Sequence, residues 1–149
     1  MEKLIFTYVT HITTTPVKLW AAITGNEFWQ QFSGPVDSDW KQGSTVRFFL
    51  PDGKQYSQGI VLRSDPPFIL SHTWPDPDGE QGTESCQRLT WQIESNGPDT
   101  LKLTLFHENM TEKAYEGVKA GWPTLINGLK TRLEERFGKG LEENKNKKG

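Results

Sequence analysis

Two histidines stand among apolar strand residues: His72 in "PPFILSHTW" and His107 in "TLKLTLFHE". An imidazole can exchange a proton near neutral pH, or hydrogen-bond a ligand carboxylate or carbonyl. It can equally be a half-buried strand residue bonded to backbone, and the sequence leaves both readings open for each ring. Alternation places Phe68, Leu70, His72 and Trp74 on one side of their strand. Leu89 and Trp91 line one side of the next strand, and Leu105 and His107 one side of the last. Tyr8, Phe48 and Leu62 are assigned the same inward direction on earlier strands. Trp122 and Ile126 belong to a helical stripe that faces them. Apolar walls with a few convergent polar groups are the usual form of a small-molecule site. These rings either wall such a cavity or fill the space as a closed core, and six Trp residues can serve either purpose.

Other chemistry finds less support. Three scattered His and one Cys have no ligand spacing, so no metal and no cofactor is expected. "DPDGEQGTE" lacks the third acidic position of a calcium loop and reads as a hairpin loop. Cys86 begins a strand beside Arg88 and reads as a structural thiol. Asp37 and Asp39 could share one face of a strand, but a solvated turn accounts for them. His11 falls on the outward side of its strand. "GKGLEEN" has neither the spacing nor the preceding strand of a phosphate loop. The sequon at Asn109 matters only on export.

These side chains need elements to hold them. "LIFTYVTHI" alternates as a strand, after which "TTTPVKLWAAITGNEFWQQF" changes period. Thr15 and Pro16 predict a helix start, Gly25 its end, and Asn26 a second short helix carrying Phe28, Trp29 and Phe32. "STVRFFL" and "QYSQGIVLRSD" flank the turn "PDGK", and three further strands follow. "TEKAYEGVK" predicts a short helix. At "GWPTLINGLKTRLEERFG" a long one begins near Gly121, with Pro123 in its first turn and Trp122, Leu125, Ile126, Leu129 and Leu133 on one stripe.

The bulk numbers agree with one globular domain. The chain has 149 residues, 34% hydrophobic and 11% aromatic, with net charge −2, so it shows no basic footprint for nucleic acid. No stretch approaches the roughly 20 apolar residues that span a bilayer. A single Cys fits a reducing compartment, and a cytoplasmic location is expected.

The order of strand, two short helices, antiparallel strands and one long C-terminal helix resembles the helix-grip fold, also called START-like or birch-pollen-allergen-like. Local wording narrows the resemblance to the activators of the heat-shock protein 90 ATPase: "PVKLWAAITGNEFWQQF", "SDWKQGSTVRF", "GIVLRSDPPFILSHTW", "LTWQIE" and "GWPTLINGLKTRLE". The resemblance implies an α+β fold in which a curved antiparallel sheet wraps the long helix. Residues 1–138 are expected to form that domain, and 139–149 a disordered, lysine-rich polar tail. The expected function is binding of a small apolar or amphipathic ligand between sheet and helix. The alternatives are regulation of a heat-shock chaperone ATPase by surface contact, or catalysis of the cyclase or hydrolase kind. Expected partners are therefore a small hydrophobic ligand or a chaperone.

Overall fold

The computed structural model describes residues 3–31, 34–74 and 87–147, with side chains through 139. Phe32, the loop "PDPDGEQGTES" and Cys86 lie outside the described residues. Strand β1 (Leu4–Thr13) leads into helices α1 (Pro16–Ile23) and α2 (Asn26–Gln30). Strands β2 (Val36–Asp37), β3 (Thr45–Phe49), β4 (Gln55–Asp65), β5 (Ile69–Trp74), β6 (Gln87–Ser95) and β7 (Thr100–Met110) follow. Helices α3 (Glu112–Val118) and α4 (Gly121–Lys147) complete the order. The strands form one antiparallel sheet in the order β1-β7-β6-β5-β4-β3-β2, and the helices lie against one face of it. This is the helix-grip architecture.

Local chemistry sets the helix ends. The Thr15 hydroxyl accepts from Lys18 N–H at 3.3 Å, and Pro16 occupies the first position of α1, where no donor is needed. Between α1 and α2 the chain turns at Gly25, where a Cβ would meet the Ala21 carbonyl oxygen at 2.9 Å. Only glycine fits without a shift there. Thr111 caps α3 by accepting from Ala114 N–H. Helix α4 starts at Gly121 as the sequence predicts, which leaves Pro123 in the first turn, where a missing donor is tolerated. Trp122 is fully buried at that start.

Two expectations need correction. Leu62 is 42% exposed on the outer face, and Val61 takes the inward place. The register explains it: Val46 pairs with Gly59 and His72 with Val61, and a bulge then inserts Leu62 before Arg63 meets Ser71. Gly59 itself is obligatory, since a Cβ would lie 2.4 Å from Thr73 Oγ1. Phe68 is 52% exposed, because Asp65–Phe68 closes a turn, with Phe68 N–H donating to Asp65 C=O at 2.8 Å, before β5 begins. Helix α4 runs on through Lys147. Leu, Glu and Lys are strong helix formers, and no proline interrupts them. Among the described residues, no helix is long and apolar enough to cross a membrane.

Candidate functional site

The inward faces of β3, β5, β6 and β7 and the start of α4 carry Phe48, Leu70, His72, Trp74, Leu89, Trp91, Leu105, His107, Trp122 and Ile126, and all ten are buried. Tyr8 sits half-buried at their margin, its hydroxyl donating to Asn127 Oδ1 of α4 at 3.1 Å. Leu62 is not part of this group. The residue at its centre is Trp29 of α2. Its ring centroid lies 5.7 Å from Trp74, 6.1 Å from Trp91, 6.5 Å from Trp122 and 6.5 Å from Trp40, on which it stacks. Sequence reasoning placed Trp29 on a short helix and Trp40 in a turn, and assigned neither to the site. A five-residue helix has too few positions to show a period, and Trp40 adopts a left-handed φ of 59° in an irregular segment.

The histidines are tied into this cluster by indole donors. Trp91 Nε1–H donates to His72 Nε2 at 3.3 Å, so the His72 proton sits on Nδ1 and is donated to Thr73 C=O at 3.1 Å. Trp122 Nε1–H donates to His107 Nδ1 at 3.0 Å, which leaves His107 Nε2–H to donate to Gln87 Oε1 at 2.7 Å. An indole N–H can only donate, so each tautomer follows from its partner. Burial lowers the His72 pKa to about 4, against a smaller opposing pull from the Thr73 carbonyl. Burial, with His72 nearby, lowers that of His107 to about 3. Both rings are therefore neutral at pH 7, and the nitrogens of each are engaged by protein groups. This arrangement orients indoles; it is poorly suited to proton transfer near neutral pH.

Open space lies on the other side of α2. Where α1 and α2 meet α4, a cleft of about 410 Å³ has an apolar floor of Ala21, Ala22, Phe28, Leu129 and Leu133. Its rim carries Lys18, Asn26, Glu27, Arg132 and Arg136. Arg136 Nη2 donates to Glu27 Oε1 at 2.7 Å, Arg132 Nε lies 3.6 Å from the same oxygen, and Arg132 Nη1 donates to Gln31 Oε1 at 3.1 Å. None of these residues entered the sequence-derived set. The stripe of α4 was legible, but which flank of it two short helices would cover was not. Among the described residues, no three His, Cys, Asp or Glu side chains gather into a metal-sized group.

Residues 13–134 match the family described as Activator of Hsp90 ATPase homolog 1-like protein. Among curated proteins, no sequence matches the chain. Solved structures with the same fold include a Cytophaga hutchinsonii protein, 27% identical at TM-score 0.69, covering 93% of this chain and 99% of its own. A Mesorhizobium loti protein is 23% identical at TM-score 0.68, covering 88% and 98%. The Aha1 dimer from Colwellia psychrerythraea is 18% identical at TM-score 0.69, covering 88% and 96%. With the family match extending over most of the helix-grip domain, the chain belongs to the Activator of Hsp90 ATPase homolog 1-like family.

Proposed function

We propose that the domain binds a small amphipathic molecule in the cleft that α1 and α2 form with α4. The cleft carries the reading: its volume of about 410 Å³ lies in the usual range for small-molecule sites, and its floor is apolar while its rim is polar. The ring set read from the sequence then serves as the wall behind the ligand. Phe28 faces the cleft and packs edge-on against Trp29 at 5.1 Å and Trp91 at 5.8 Å, so the floor rests on a packed, pre-organised support. His72 and His107 act in this reading as acceptors that fix the indoles. A thermal-shift panel of lipids and aromatic acids tests the proposal. A ligand at 100 times its Kd adds about 2.7 kcal/mol, or about 5–10 °C in Tm for a domain of this size. Ala21→Trp, placed to fill the cleft, should abolish the shift. No shift from any compound, or an equal shift in the filled variant, refutes the reading.

A second reading is regulation of a chaperone ATPase by surface contact. It is supported by the family match and by the exposed apolar side chains of Ile60 and Leu62 on the outer face of β4. Its measurement is ATP turnover of a heat-shock chaperone with the chain added. Stimulation that disappears in Ile60→Lys would favour it over ligand binding. A cytoplasmic site of action accompanies both readings.

A further inference from the structure

Resting on the cleft reading, we infer that the ligand is an anionic amphipath, with a carboxylate-type head held by Lys18, Arg132 and Arg136 and an apolar body laid on Phe28, Leu129 and Leu133. The rim sets three cations against one carboxylate, in a chain whose net charge is −2. That one carboxylate is oversubscribed: Glu27 Oε1 serves both Arg136 Nη2 and Arg132 Nε. Glu134, on the same helix, is committed elsewhere and accepts the Thr13 N–H at 2.9 Å. Lys18 has no carboxylate within ion-pair distance among the described residues, and its ammonium lies 5.7 Å from the centre of the Phe137 ring.

Arg132 supplies an independent sign. Its Nη2 is buried without any hydrogen-bond partner, while Nη1 and Nε are engaged. A buried donor left unsatisfied is costly, and hydrogen bonds from a guanidinium to an anionic oxygen are among the strong ones. An anionic head in the cleft competes with Glu27 for both guanidiniums and gives the arginines a second acceptor. A neutral head forms weaker bonds there, and a cationic head meets three like charges.

Isothermal titration below the micellar concentration, with decanoate, decanol, decylammonium and acetate, decides the matter. Decanoate should bind about tenfold or more tighter than decanol, with decylammonium and acetate weaker than either, as charge-assisted contacts and an apolar floor together require. Lys18→Gln combined with Arg136→Gln should weaken decanoate far more than decanol and narrow the gap between them, with Arg132 left to hold the head. Glu27→Gln, a change at an exposed side chain, should strengthen decanoate binding by releasing both guanidiniums. Equal affinity for decanoate and decanol overturns the anionic assignment and leaves the cleft reading standing. Binding of none of the four removes the cleft reading and this inference together. Decanoate bound equally well by Ala21→Trp moves the site elsewhere and also overturns it.

Discussion

Acidification from pH 7 to 5 should remove much of the stability of this domain, through His72 and His107. Both rings are neutral in the fold, with pKa values lowered by burial to about 4 and about 3. In the unfolded chain each takes up a proton near pH 6.5. Between those limits the unfolded state binds more protons, so stability is fully present above about pH 6.5 and is lost as pH falls toward the folded values. Each ring contributes about 1.4 kcal/mol per pH unit across that window, so the pair loses about 4 kcal/mol between pH 6.5 and 5. A domain with roughly 5–15 kcal/mol in hand would feel that strongly. The carboxylate of Asp39 is held below the usual carboxylate range by hydrogen bonds from Ser44 and Lys41, so it does not share the window. Urea unfolding at pH 7, 6 and 5 measures the slope, and the histidine ring protons followed by NMR report each site in the folded state. His107→Asn, which keeps an acceptor near Trp122, should roughly halve the slope. A stability that stays flat from pH 7 to 5, or a buried ring titrating near 6.5, would refute the reasoning.

The remaining predictions concern packing and register. Trp122→Ala should cost about 3–5 kcal/mol by urea unfolding, because a fully buried indole leaves a cavity. Trp122→Phe should cost about 1–3 kcal/mol, since His107 Nδ1 loses its donor while most of the volume stays. Gly59→Ala should destabilise by more than about 1 kcal/mol, as its Cβ would sit 2.4 Å from Thr73 Oγ1 and displace the bond from Ile60 N–H. Leu62→Thr should change stability by less than about 0.5 kcal/mol, as befits an outward, solvent-exposed side chain whose replacement keeps the backbone of the bulge. A large loss in that variant would show Leu62 to be packed.

The long-range plan was legible wherever a period had room to repeat. Leu101, Leu103, Leu105 and His107 all face inward along β7, and Trp122, Ile126, Leu129 and Leu133 are all buried along α4, as alternation and helical spacing require. Legibility ended where a single residue shifts the period. The bulge at Leu62 and the turn closed at Phe68 both depend on cross-strand register, which no local window contains. Trp29 was equally hidden, because its place at the hub depends on how α2 folds back under the sheet. The candidate site suffered most: the histidines were found, but their role was set by indole partners on other elements. The cleft arises from three helices meeting, and each helix shows only its own stripe.

Five indoles in mutual contact also give the protein an unusual optical character. Trp29 touches Trp40, Trp74, Trp91 and Trp122 at centroid distances of 5.7–6.5 Å, with several ring planes nearly perpendicular. Excitation absorbed by one ring will migrate among the others before emission, so fluorescence from the cluster will be strongly depolarised even though no ring rotates. Near-ultraviolet circular dichroism should show exciton couplets that vanish together on unfolding. Replacing Trp29 should detach Trp40 from the array and leave Trp122 still joined to Trp74 at 5.6 Å and to Trp91 at 6.0 Å, so the loss of depolarisation in that variant reports how much of the transfer runs through α2.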